Sequence, residues 1–179
     1  MLSIEETIDV AKTRLLAPTT LEYELLQFRG NPAARPELYK ILADPNQQRY
    51  WPPVANYFFY IGEYEDIAKL NALYEKKEGL LVQYESSMVT RITHAIGGMA
   101  WRGVTGARDE LNKRISPAYW KNKKYRVYGE GGDLSYENDM VCRTLGNALA
   151  FGDADEYERV VKSVVASIAD PKQRESMQL

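Results

Sequence analysis

Apolar residues recur along this chain at intervals of three and four, and each run is cut by proline, glycine or a capping sequence. That pattern predicts short amphipathic helices throughout and almost no strand. Ser3-Ile-Glu-Glu6 has capping-box form ahead of Ile4, Ile8, Ala11 and Leu15, and Pro18 stops the run. Thr19-Thr-Leu-Glu22 repeats the cap before Leu21, Leu25 and Phe28, with Gly30 and Pro32 as the end, and Pro36 opens a short helix bearing Leu38, Ile41 and Leu42. Asp44-Pro45 can cap the next helix, while Pro52-Pro53 must interrupt its ladder, so residues 45–61 form either one kinked helix or two segments, and the kinked helix is the expectation. Gly62 allows a tight turn into a stripe of Ile67, Leu70 and Leu73 or Tyr74 that ends at Gly79. Ser86 or Ser87 caps Val89, Ile92, Ile96 and Met99, whose partner carries Val104, Ala107, Leu111 and Ile115 and stops at Ser116-Pro117. Gly97-Gly98 in mid-helix costs about 1 kcal/mol per residue relative to Ala, which points to a close helix crossing or else to a local break. The last pair runs from about Leu134 through Val141, Leu145, Leu149 and Phe151. It continues behind a capping box at Asp153-Ala-Asp-Glu156 with Tyr157, Val160, Val161, Val164, Val165 and Ile168, and Asp170-Pro171 starts a short C-terminal cap.

One local pattern occurs three times: an apolar stripe, a glycine, then a turn into a second stripe. It reads Val54 to Ile67, Ile92 to Gly103 and Leu145 to Asp155. Gly62, Gly103 and Gly152 mark the steps at intervals near the roughly 40 to 47 residues of two-helix repeats. The second interval is longer, and Lys121 to Asp133, rich in charge and glycine, reads as the insertion responsible. The expectation is an all-α fold, a right-handed α-α superhelix of about four antiparallel helix pairs in a single domain over residues 1–179. The pairs fall near 3–43, 44–79, 86–117 and 134–169, with an inserted loop near 118–133.

Val54 to Tyr74, Ile92 to Ile115 and Leu145 to Ile168 resemble HEAT repeats in their helix pairs, proline-bearing first helix and glycine step, best matched by Phe151-Gly152-Asp153-Ala154-Asp155. The steps Gly62-Glu63 and Gly103-Val104 depart from the Gly-Asp form. The resemblance covers about two thirds of the chain. It implies a curved HEAT-like solenoid that binds other macromolecules, with second helices lining the concave side.

Composition narrows the chemistry. The chain has 179 residues, 45% hydrophobic, and a formal net charge of −2, enough to bury the core of one domain. No basic head with an apolar run opens it, and no stretch of about 18 apolar residues occurs, so a cytoplasmic protein without a membrane span is expected. Cys142 is alone and reads as a small buried hydrophobe. His94 is the sole histidine, which removes a multi-histidine metal centre and any likeness to the HEAT-repeat hydroxylases that bind paired iron. A nucleophile-histidine arrangement would need His94 in solvent, and Ile92 and Ile96 on the opposite side leave room for that, but an ordinary surface or interface histidine is the expected role. Gly129-Glu-Gly-Gly132 lacks the strand and Lys-Ser or Lys-Thr of a phosphate loop and reads as a flexible loop. The carboxylates Glu63, Glu65 and Asp66, and Asp153, Asp155, Glu156 and Glu158, sit where helix starts use them, so no catalytic residue, metal or cofactor is assigned.

Two aromatic clusters remain. Tyr50, Trp51, Tyr57, Phe58, Phe59, Tyr60, Tyr64 and Tyr74 cannot all face one side of a helix, and core packing across two neighbouring repeats is their expected role. Tyr119, Trp120, Tyr125 and Tyr128 alternate with Lys121, Lys123, Lys124 and Arg126, and Arg114 lies nearby, a mixture offering stacking, cation-π contact and charge. The functional expectation is a non-enzymatic protein-binding or scaffold module. Its contact residues are Tyr119, Trp120, Lys121, Lys124, Tyr125, Arg126 and Tyr128, joined by Trp101 and Arg102 at an inter-helix turn. The alternative is a nucleic-acid-binding or DNA-base glycosylase-like enzyme on the same scaffold, against which 23 basic residues facing 25 acidic ones count.

Overall fold

Every residue from Trp51 to Phe58 is buried, which no amphipathic surface helix achieves. Helices must therefore cover this segment on several sides. In the computed structural model, described here for residues 2–14, 17–75, 82–116, 145–148, 150, 151, 157–167 and 171–176, every regular element is helical. The elements are α1 (Ile4–Thr13), α2 (Pro18–Leu26), a 3-10 turn (Pro32–Ala34), α3 (Arg35–Ala43), a 3-10 segment (Pro45–Tyr50), α4 (Trp51–Ile61) and α5 (Tyr64–Glu75). They continue as α6 (Val82–Trp101), α7 (Ala107–Arg114), α8 (Tyr157–Ser167) and α9 (Pro171–Ser176), with residues 145–148 helical before α8. The buried α4 packs on α2, α3 and above all α6.

Local chemistry sets the boundaries. The capping box at Ser3 is complete, Ser3 Oγ accepting from the Glu6 N–H at 3.1 Å and Glu6 Oε2 from the Ser3 N–H at 2.7 Å. The second cap is not at Thr19: the N-cap is Ala17, two residues earlier, and Pro18 opens the first turn of α2, where a missing N–H costs nothing. The kinked helix over 45–61 resolves into two segments instead. Asp44 caps the 3-10 segment, its backbone leaves helical geometry at Gln47, and Pro52-Pro53 start α4 rather than break it. Ser86 and Ser87 lie inside α6, which is already helical at Val82. The region of the inserted loop, Cys142, Gly129 to Gly132, and the box at Asp153 to Glu156 lie outside the described residues.

The glycines of α6 mark a close crossing, not a break. A Cβ on Gly98 would come within 2.5 Å of the Phe59 ring and its carbonyl oxygen, and one on Gly97 within 2.5 Å of the Phe151 ring. Gly62 serves the same contact from the other side: its backbone is extended, needing no left-handed freedom, but a Cβ would strike Met99 and stand 2.6 Å from the Phe58 carbonyl. Contacts pair Asn56 with His94, Phe59 with Gly98, and Gly62 with Arg102, so α4 and α6 run parallel. Likewise Tyr64 meets Gly106 while Asn71 meets Glu110 and Arg114, which makes α5 and α7 parallel in a second row. Arg35 with Glu63, Tyr39 with Asp66, and Lys69 over Tyr39 extend that row to α3.

The aromatic cluster divides. Tyr50, Trp51, Tyr57 and Phe58 are core, Phe59 and Tyr60 half-buried, and Tyr64 exposed. Their polar atoms finish helix ends: the Tyr50 hydroxyl donates to the Ala11 carbonyl of α1 at 3.3 Å, the Trp51 indole N–H to Ile41 of α3 at 2.9 Å, and the Tyr57 hydroxyl to Phe28 beyond α2. Carbonyls at or just beyond helix C-termini thus gain side-chain donors from the segment they pack against, those of Ile41 and Phe28 in addition to the backbone N–H groups of Asp44 and Asn31.

A Gly98→Ala variant is expected to lower stability by about 1–3 kcal/mol although Ala is the better helix former, because the Phe59 backbone cannot rotate away. Gly146→Ala, with open space around its Cβ, is expected to be neutral or to gain up to about 1 kcal/mol. Urea denaturation of the two variants checks this opposition of sign.

Candidate functional site

The turns at the C-terminal ends of α4 and α6 come together. Arg102 follows α6 directly and reaches across to α4, its Nε donating to the Phe59 carbonyl at 3.2 Å and its Nη2 to Gly62 at 2.5 Å. Gly103 and Gly106 have φ of 79° and 78°, the left-handed conformation that folds the chain back into α7. Arg35 adds a second cation at the end of α4, donating to the Ile61 carbonyl at 2.7 Å. Positive charge at the negative end of a helix dipole is favourable, and here it also satisfies orphan carbonyls.

Beneath this junction lies Asp66, fully buried although charged. It accepts from the Glu63 N–H at 2.8 Å, closing the first turn of α5, and from the Tyr39 hydroxyl. Arg35 Nε stands 3.3 Å from it and Nη2 the same distance from Glu63. Burial, reinforced by the neighbouring Asp66 carboxylate, pushes the Tyr39 hydroxyl far above the ordinary tyrosine range, so it stays a donor.

On this locked base two aromatic residues face solvent. Trp101, the last residue of α6, is 76% exposed although its neighbours Ile96, Met99 and Ala100 are buried. Tyr64, the first residue of α5, is 66% exposed with one ring edge against Gly106. Trp101 is therefore open to solvent, whereas Arg102 is spent on α4 carbonyls and acts by holding the turn. Tyr64 was not foreseen as a surface residue: sitting at a helix start, it carries no periodicity signal. The other seven expected contact residues, Tyr119, Trp120, Lys121, Lys124, Tyr125, Arg126 and Tyr128, lie outside the described residues.

Arg114 does not belong to a surface basic cluster. It is 3% exposed and clamps α7 to α5 and α6, donating to Glu110 Oε1 at 2.6 Å, Asn71 Oδ1 at 2.6 Å and Thr93 Oγ1 at 3.2 Å. Burial pushes the Glu110 carboxyl up, but Lys113 and Arg114 outweigh it and hold it below the ordinary range.

His94 is not a surface residue either. It faces α4, stacked on Phe59 at 4.6 Å and edge-on to Phe151 at 5.7 Å. Its Nδ1 lies 2.7 Å from Asn56 Oδ1, Asn56 Nδ2 donates to Glu22 at 3.0 Å, and Arg91 pairs with Glu22 at 3.1 Å. This relay puts the neutral ring's proton on Nδ1. Burial, with Arg91 nearby, lowers the His94 pKa. The spacing of Ile92 and Ile96 permitted exposure, but a long helix packed on both α4 and the Phe151 segment has little free face.

Among the described residues no group of three or more His, Cys, Asp or Glu side chains converges to hold a metal ion, and no helix is long and apolar enough to cross a membrane. The chain matches no protein-family model, no curated protein and no solved structure. Its function must therefore be argued from its own residues.

Arg114→Ala removes the buried guanidinium that ties Glu110, Asn71 and Thr93 together and is expected to cost about 3–5 kcal/mol, whereas Lys113→Ala, at an exposed ammonium, is expected to cost far less. Chemical denaturation of both variants tests this. Because the folded His94 pKa lies below the ordinary 6.5, the unfolded chain binds the extra proton first, so stability is full above about pH 6.5 and falls as pH drops below it. Glu110, held below its ordinary 4.5, adds a second loss at lower pH. Melting temperature against pH is expected to fall in these two stages, and His94→Gln to remove only the upper one.

Proposed function

We propose that this chain is a non-enzymatic protein-binding or scaffold module of the cytoplasm, built as a HEAT-like α-α superhelix and reading its partner with the exposed aromatic residues at its inter-helix turns. The parallel course of α4 with α6, and of α3, α5 and α7 in a second row, supports successive stacked pairs in which each element packs on its near neighbours in the chain. The observation that carries the reading is Trp101: an indole held 76% in solvent at the end of a well-packed helix, its following turn pinned by Arg102. A rigid aromatic anchor gives contact area at low entropic cost, and tryptophan is the side chain most enriched at interface hot spots. The segment Tyr119 to Tyr128 forms the other half of the proposed surface.

The nucleic-acid-binding or glycosylase-like alternative draws less support. Arg35, Arg91, Arg102, Arg108 and Arg114 all bond carbonyl or carboxylate oxygens of the same chain, which counts against a phosphate-neutralising role for these five.

Trp101→Ala is expected to weaken capture of the partner by about thirtyfold or more while leaving the melting temperature unchanged, since the side chain touches little of the fold. Affinity capture with the full chain, the Trp101→Ala form and a form with Lys121 to Arg126 replaced by Gly and Ser tests it. Equal retention by all three overturns the reading, and steep salt-dependent binding to duplex DNA would replace it with the alternative.

A further inference from the structure

A second concave feature lies away from the turns, between α3, the start of α4 and α5. It is a cleft of about 410 Å³ whose walls include Tyr39, Leu42, Pro45, Trp51 and Leu73, with Lys69 at its edge. That size is within the range of small-molecule sites, and its described lining is predominantly apolar.

The polar atoms of this lining are committed elsewhere, with one exception. The Trp51 indole N–H donates to the Ile41 carbonyl at 2.9 Å, and the Tyr39 hydroxyl donates to Asp66. Both rings therefore offer the cleft their hydrocarbon surfaces and no free donor. The Lys69 ammonium sits 4.8 Å from the centre of the Tyr39 ring, and no carboxylate among the described residues pairs with it. Asp66, bonded to the Tyr39 hydroxyl behind the wall, is fully buried and already faces Arg35, so its charge is compensated. Glu65, one turn before Lys69 on α5, is exposed and makes no ion pair with it. An apolar slot with two aromatic rings and one ammonium that forms no ion pair among the described residues complements one kind of ligand: a flat hydrocarbon body ending in one negative charge.

We propose that this cleft binds a small aromatic monocarboxylate, its ring against Tyr39, Trp51 and Leu73 and its carboxylate on Lys69. The site is independent of the protein-binding reading, since it shares no residue with Trp101 or the turns.

Naphthalene-2-carboxylate and its neutral carboxamide, titrated calorimetrically against the full chain, test the assignment. The acid is expected to bind more tightly than the amide by about fivefold, the worth of a charge-assisted contact at a partly exposed site. Lys69→Gln is expected to erase that preference without lowering the melting temperature, and Lys69→Arg to keep it. Leu73→Trp, which fills the slot, is expected to abolish binding of both compounds. Absence of acid binding, or an acid preference that survives Lys69→Gln, overturns the proposal. Neither result would bear on capture of a protein partner through Trp101.

Discussion

The crossing of α4 and α6 is the contact on which the rest of the structure depends. Two parallel helices approach so closely that two positions, Gly62 and Gly98, have no room for a Cβ, and the Phe151 ring closes Gly97 beside them. Such an approach buries backbone as well as side chains, and a helix buried all round cannot leave its end groups to water. The ends are accordingly finished by neighbours: Arg35 and Arg102 cover the carbonyls of α4, while Tyr50, Trp51 and Tyr57 do the same for α1, α3 and α2. Close packing and donated hydrogen bonds are here two consequences of one geometric demand.

The polar interior follows the same logic. Asp66, Arg114 and the Glu22-Asn56-His94 relay each join helices that are not consecutive in the chain. Buried charges contribute little net stability when compensated, but removing one partner is expensive, so each group penalises any sliding of one helix past another. Helices tied in this way present their turns at fixed positions. That is what allows Trp101 to stand in solvent without being disordered by it: the residue before it is core, and the residue after it is bonded to α4.

Much of this was legible in the residue pattern, and the failures are instructive. Apolar stripes at Ile4, Leu38, Ile67, Ile92 and Leu111 located helices because burial of one face leaves a 3.6-residue period. Gly97-Gly98 announced a crossing because glycine in a helix is unfavourable unless space demands it. Pro52-Pro53 misled, since proline in a helix interior and proline in a first turn look alike until the start of the helix is known. Gly62 was read through its conformational freedom when its lack of volume was the reason. Arg114 and His94 were read as surface groups because charge and polarity predict exposure on average, and only the arrangement of the helices reveals that their partners are waiting inside; Asp66 keeps its expected place at a helix start, but its burial and its bond from Tyr39 left no mark in the sequence. Tertiary neighbours, unlike periodicity, leave no mark at any fixed spacing.

Tyr39 shows how far these constraints reach. Its ring packs on Phe58 of α4 at 5.1 Å, forms a wall of the cleft and receives Lys69 on its face. Its hydroxyl meanwhile holds Asp66, the residue that also receives the Glu63 N–H and so begins α5 beside the exposed Tyr64. A tyrosine tied at both ends cannot swing out to close the cleft or open it further. The shape of that cleft is therefore set by the same buried carboxylate that orients the start of α5, and the two surface features of the molecule rest on one shared interior.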